Sequence, residues 1–445
     1  MHNRLRTLLA ILCTAGVLSG AAMLQEPAAK VTELPKILPA IGSAGPKYYK
    51  GNLHTHSLWS DGDDFPEMIS DWYKTHDYDF LGLSDHNILS DGDKWVDAGA
   101  DASVRAQAVQ KYGARFGKSW VETRVGKDKN DKDQNQVRLK PLREFRSLLE
   151  EPGKFLLVPA EEISASYNKK PIHMNAVNIR DAIQPLPGMS VEETIGVNMR
   201  AVAAQRKKTA WRTIVFLNHP NFGWGVRGEE LLQTEEVRFF EIYNGHPGVR
   251  NYGDETHASV ERIWDIALAL RLGKHKLPIV YGMATDDSHG YHAFGVGKVN
   301  PGRGWIMVKA PYLSADAIVK SMEEGNFYCS SGVTLDDVTR DGNSLKLSIH
   351  GEKGVTYKTQ FIATMKNASL DSQPIVDKNG KELDVTRKYS DDIGKVVAES
   401  NDLNPTYKFT GNELYVRAKV TSSKPHPNPY AKGDVELAWT QPVTP

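Results

Sequence analysis

Seven short apolar runs recur along the first two thirds of the chain, at residues 53–56, 80–85, 155–160, 174–179, 214–217, 239–243 and 279–283. Each has the length of a buried strand and is too short for a helix. Between them the period lengthens. Residues 66–75 and 191–205 read as helices, the second opened by a Ser190/Glu193 capping box, and residues 257–272 place Val260, Ile263, Trp264, Ala267 and Leu268 on one face. Alternating strands and helices predict parallel strands with helices outside them, in a barrel or a doubly wound sheet. Seven strands with no glycine-rich phosphate loop after the first favour an α/β barrel over residues 51–335.

Two stretches depart from this rhythm. Residues 90–151 form an insertion with a helix near 104–116, the polar tract KDKNDKDQNQ at 127–136 and then VRLKPLREFR. Placed after a strand's C-terminal end, it is expected to be a lid or substrate-binding element. Its Arg138, Lys140, Arg143 and Arg146 either meet an anionic substrate or form the solvated face of a helix that turns Leu142, Phe145, Leu148 and Leu149 inward. From residue 336 the period is two: Leu345, Leu347 and Ile349, then Leu414, Val416, Ala418 and Val420, then Val435, Leu437 and Trp439. Turn signals at Asp341-Gly342 and Asn379-Gly380 separate such segments, so residues 336–445 are expected to be a small C-terminal antiparallel β domain.

A length of 445 residues with 40% hydrophobic content supports one large and one smaller domain. Lys plus Arg equals Asp plus Glu at 55 each, so no overall field points to nucleic acid. The N-terminus has His2, Arg4 and Arg6, an apolar run over 8–18 and the small residues Ser19, Gly20, Ala21 and Ala22. That pattern reads as a signal peptide at 1–22 followed by a linker at 23–50, and it implies a secreted or periplasmic protein with no membrane span in the mature chain. Cys13 leaves with the signal, so Cys329 has no intrachain partner. The oligomeric state is left open.

Chemistry concentrates at the ends of the apolar runs. His54, His56, His86, His173, His219 and His289 sit there, with Asp61, Glu162 and Asp287 nearby. His54 and His56 share one face of an extended segment. Any one of these histidines alone is more often a structural hydrogen-bonder than a ligand. Their recurrence after successive strands points instead to a rim that binds two or three divalent metal ions such as Zn, Mn or Fe.

The motifs HTH at 54–56, SDG at 60–62, SDH at 84–86, EEIS at 161–164, His173, NHP at 218–220 and DSH at 287–289 resemble the polymerase and histidinol phosphatase (PHP) family over about residues 50–331. The resemblance implies a distorted (β/α)7 TIM-like barrel and, most often, phosphoesterase activity using a metal-bridging hydroxide. It implies one metal on His54, His56, Glu162 and Asp287, a second on Glu162, His173 and His219, and a third on Asp61, His86 and His289. Glu162 is preferred over Glu161 because it directly precedes the Ile-Ser pair, with Glu161 as the alternative. The tail motifs YVRAKV and AWTQPV are similar to secreted hydrolases related to the carbaryl hydrolases, which makes a carboxylic or carbamate ester or amide an alternative bond.

The expected function is therefore a metal-dependent hydrolase acting on a small, anionic molecule, with a non-enzymatic metal- or carbohydrate-binding module as the remaining alternative. Arg303 in PGRGW and Arg227 in GVRGEE are candidates to hold the anion. His246, His257 and His292 are candidates to protonate a leaving group, and Asn218, Asp286 and Ser288 to support the ligands.

Overall fold

The computed structural model describes residues 45–231 and 235–445; the expected signal segment and most of the linker lie outside them. Strands β1 (Lys47–Asn52), β2 (Phe80–Leu83), β3 (Leu156–Tyr167), β4 (Lys170–Val177), β5 (Ile214–Leu217), β6 (Phe239–Asn244) and β7 (Tyr281–Thr285) lie side by side in chain order. Six of the apolar runs overlap these strands. The first, 53–56, instead follows β1, whose early residues 47–50, expected as linker, pair antiparallel with a later strand, β8 (Trp305–Ala310).

The alternation of parallel strands fails at one place. β3 and β4 form a hairpin, and β4 is antiparallel to both its neighbours. The turn residues Asn168 and Lys169 both have positive φ, 48° and 67°, the backbone twist that suits a two-residue hairpin. The other neighbours in the run are parallel. Beyond the strands, Thr55 and Ser288 form a parallel bridge, with His56 N–H donating to Ser288 O at 2.9 Å and Asp287 N–H to His54 O at 3.0 Å. The seven strands thus curve until the segments after β1 and β7 meet.

Helices cover the outside of this curve. α1 (Pro66–Thr75) starts with proline at its first turn, and α4 (Val191–Thr209) is capped by Ser190, which accepts from Glu193 N–H. α5 (Val260–Ala269) turns Ile263, Trp264, Ala267 and Leu268 into the main core against Phe240 and Ile242. No helix among the described residues is long and apolar enough to cross a membrane.

The insertion contains α2 (Val104–Phe116), α3 (Leu142–Leu149) and a three-stranded antiparallel sheet that includes the polar tract. Its basic residues are engaged by other protein groups: within the insertion, Arg138 with Glu144 at 2.8 and 2.9 Å, Lys140 with Glu122 and Arg143 with Asp91, and across to β3, Arg146 with Leu157 O at 2.6 Å. Phe145 and Leu149 are buried, but Leu148 is exposed, because it falls off the inward face. α1 and α2 meet at buried Glu67, which accepts from Tyr112 Oη at 2.6 Å and Trp120 Nε1 at 3.2 Å. Burial pushes its carboxyl up to about 7 despite those donors. The folded state therefore holds a proton that the unfolded chain sheds near 4.5, and this stabilisation, full below that pH, is lost as pH rises through about 7. Glu67→Gln should flatten this dependence: the melting temperature of the variant should change less between pH 5 and 8 than that of the wild type.

Past β8 the sheet continues through β9 (Phe327–Ser330) and then four strands of the C-terminal region, β10 (Tyr357–Met365), β11 (Lys395–Ser400), β12 (Glu413–Pro425) and β13 (Val435–Thr440), in the order β9-β13-β12-β10-β11. Every pairing here is antiparallel, and a smaller three-stranded sheet completes the second core. The region is locked to α5 by buried Asp265, which accepts from Arg417 Nε at 2.8 Å, Arg417 Nη2 at 2.6 Å and Tyr415 Oη at 2.8 Å. Asp265→Ala would strand the buried guanidinium and should cost about 3–5 kcal/mol in urea unfolding.

Candidate metal centre

Strand direction decides which side chains reach the curved rim. His54 and His56 follow β1, Asp61 lies in the next loop, His86 follows β2, His219 follows β5, and Asp287 and His289 follow β7. Glu162 lies within the long β3, and His173 near the start of β4. Because β4 runs backwards, its beginning lies beside the later part of β3, with Ser164 opposite His173. All nine expected ligands come together.

They form four overlapping donor groups in which the ligand atoms lie within 4.8 Å of one another: His56, Asp61, His86 and His289; His54, His56 and Asp287; His54, Glu162 and His219; and His86, Glu162 and His173. Glu162 lies 2.7 Å from His86 Nδ1, 3.0 Å from His173 Nδ1, 3.4 Å from His219 Nε2 and 3.5 Å from the Nε2 atoms of both His54 and His56. Asp287 is 3.2 Å from the same two Nε2 atoms. Glu161, one residue earlier on the strand, points to the other face and accepts from Ile183 N–H at 2.6 Å.

The electrostatics follow from this crowding. Burial alone would raise the Glu162 and Asp287 carboxyls, yet His173 and His54 beside the first, and His54 and His56 beside the second, hold both well below the carboxylate range. Burial would lower the His54 imidazole, but Asp287, Glu241 and Glu162 raise it well above its ordinary value. His56 is pushed down to about 3 by burial and by His289. Three buried atoms at the focus, His54 Nε2, His56 Nε2 and Glu162 Oε2, lie close to charged neighbours yet make no well-aligned hydrogen bond. Buried lone pairs without such a bond are costly, and divalent cations accept electrons from this set of nitrogens and oxygens. The residues fit metal.

Supporting groups were partly legible. Asn218 Nδ2 donates to Glu162 at 2.7 Å. Asp286 faces away from the cluster and accepts N–H bonds from Gly302, Arg303 and Gly304, while Ser288 bonds the hydroxyls of Tyr73 and Tyr291. Glu241 was missed. Fully buried in β6, it engages His54 Nδ1 at 2.7 Å, Thr285 Oγ1 at 2.6 Å, His219 N–H at 2.8 Å and Asn244 Nδ2 at 2.9 Å, and Asn244 also reaches Asp287 at 3.1 Å. It turns His54 Nε2 toward the focus. An acid inside the otherwise uncharged strand FFEIYN was the available signal.

The nominated arginines are not at the focus. Arg303 is buried, its guanidinium donating to Gly245 O at 2.9 Å, Gly295 O at 2.7 Å, Asn428 O at 3.2 Å and Lys298 O. Arg227 is bound by Glu230 at 2.9 Å and Asp384 at 3.3 Å. Neither offers a free fork to an anion. His292 lies between Lys111 and Asp64, and His257 stacks on Trp224 at 3.7 Å. His246 does reach the cluster, 5.5 Å from His289 between ring centroids.

No protein-family model and no curated protein matches the chain. Among solved structures it is similar to a two-domain protein of Bacteroides vulgatus described as containing a predicted PHP-like metal-dependent phosphoesterase, at 14% identity and a TM-score of 0.36 over 89% of this chain and 96% of that one. So loose a likeness carries no argument, and the donor geometry stands by itself. Elemental analysis of the purified protein should find divalent metal. Glu162→Gln should lose most of it, whereas Glu161→Gln, folded by circular dichroism, should keep the wild-type content.

Proposed function

We propose that the protein is a metal-dependent phosphoesterase on the distorted seven-stranded α/β barrel that its motifs resemble. The observation that carries the reading is the buried focus of ligand atoms without well-aligned hydrogen bonds around Glu162, open to solvent at Asp61, His86 and His289. His54, His56, Glu162 and Asp287 would hold one cation, Glu162 with His173 and His219 a second, and Asp61, His86 and His289 a third. Bound divalent cations lower the pKa of water and offset charge gathering on phosphoryl oxygens. Donor groups sufficient for three cations suit the charge of a phosphoryl group better than a neutral ester or amide.

The chain's own contribution at the leaving group is His246, which belongs to none of the donor groups. Its Nδ1 accepts Gly248 N–H at 3.0 Å, so the ring proton of the neutral form lies on Nε2. Burial lowers its pKa, with Asp287 opposing, and favours that neutral form. Hydrolysis joins the oxygen of water to phosphorus and breaks the bond to the leaving oxygen, which keeps the electron pair. His246 Nε2–H hydrogen-bonds that oxygen as charge builds on it, and the proton shed by the attacking water neutralises it.

The metal-loaded protein should hydrolyse 4-nitrophenyl phosphate. Activity should vanish on chelation and return with divalent metal, and fall about a hundredfold or more in His54→Ala. His246→Ala should lower kcat more for ethyl phosphate than for 4-nitrophenyl phosphate, whose leaving group needs the least help, with less effect on KM. A protein that leaves phosphate esters intact but cleaves phenyl acetate or an aryl carbamate would overturn the proposal in favour of the ester reading, which the tail motifs support.

A further inference from the structure

The mouth of the centre is a closed collar of five rings. His86 and His173 lie 5.7 Å apart between centroids, His173 and Phe222 6.2 Å, Phe222 and His246 6.0 Å, His246 and His289 5.5 Å, and His289 and His86 6.3 Å. All five are partly exposed, while His54, His56, Glu162, His219 and Asp287 form a buried floor within them. Asp61 bridges the His86 and His289 side. Four collar members can ligate or donate. Phe222 can do neither, so the collar has one apolar flank, next to His246.

That flank is held firmly. Phe222 N–H donates to His219 O at 2.8 Å, and Asn221 Nδ2 reaches Arg250 O at 3.1 Å and Ala258 O at 3.0 Å. Gly225 has no room for a side chain, since a Cβ there would meet Pro171 O at 2.1 Å. Gly223 and Trp224 take the left-handed backbone, φ 56° and 53°. A fixed, partly exposed phenyl beside His246 is a surface for a flat ring on the substrate's leaving side.

We propose, building on the phosphoesterase reading, that Phe222 selects phosphoesters whose leaving alcohol carries an aromatic ring. Benzyl phosphate and ethyl phosphate release alcohols of similar basicity, so their ratio of kcat/KM reports the contact. The wild type should prefer the benzyl ester, and Phe222→Ala should reduce that preference about tenfold, whereas Phe222→Trp should retain it. Unchanged metal content in Phe222→Ala would show the floor intact. Calorimetric binding of benzylphosphonate against ethylphosphonate to the metal-loaded protein separates the two readings. Turnover of both esters without an aromatic preference, or a preference untouched by Phe222→Ala, overturns the role of Phe222 alone. A Phe222-dependent binding preference without turnover supports it and overturns the phosphoesterase. Neither binding nor turnover overturns both.

Discussion

A carboxylate can be taken out of water only if something else holds its charge, and Glu162 and Asp287 are both buried. Five imidazoles stand within 3.5 Å of Glu162, and they come from the segments after β1, β2 and β5 and from β4 itself. The curvature that brings these segments together is therefore also the condition for burying this acid. The reversal of β4 serves the same end. With β4 parallel, His173 near its beginning would lie at the far end of the strands from the rim.

The cost of gathering these groups is visible in the backbone. His219 and Asp287 have φ of 21° and 49°, conformations that side-chain-bearing residues rarely adopt. Each is compensated by a specific bond: His219 N–H to Glu241 and Asp287 N–H to His54 O. Three further buried acids act one layer out. Glu241 orients His54, Asp85 gathers Ser57 and Ser60 in the loop before Asp61, and Asp286 collects the N–H groups of residues 302–304.

Arg303 shows how the C-terminal region joins this framework. Its guanidinium ties the loop after β6 at Gly245, the loop after β7 at Gly295 and Lys298, and Asn428 of the C-terminal region. The β-rich region thus braces the segment that carries His246, and the Asp265–Arg417 pair fixes it to α5. With Arg303 and Arg227 engaged in this way, the collar consists of imidazoles and one phenyl ring.

Local sequence determined six of the strand-forming runs, the proline start of α1, the cap of α4, the helix α2, the antiparallel character of the last hundred residues and the identity of all nine converging side chains. Periodicity and residue chemistry act over a few positions, so they can be read there. The strand alternation that sends Glu162 and Glu161 to opposite faces is also local, but only the pairing of β3 with its neighbours decides which face is the rim. The reversal of β4 was hidden because Asn168 and Lys169 are not a strong hairpin signature, and a four-residue strand such as β5 carries no direction of its own. The roles of Glu241, Arg303 and Phe222 were decided wholly by tertiary contacts. A buried acid, a clamped guanidinium and a collar ring differ from ordinary residues only in what the folded chain places beside them.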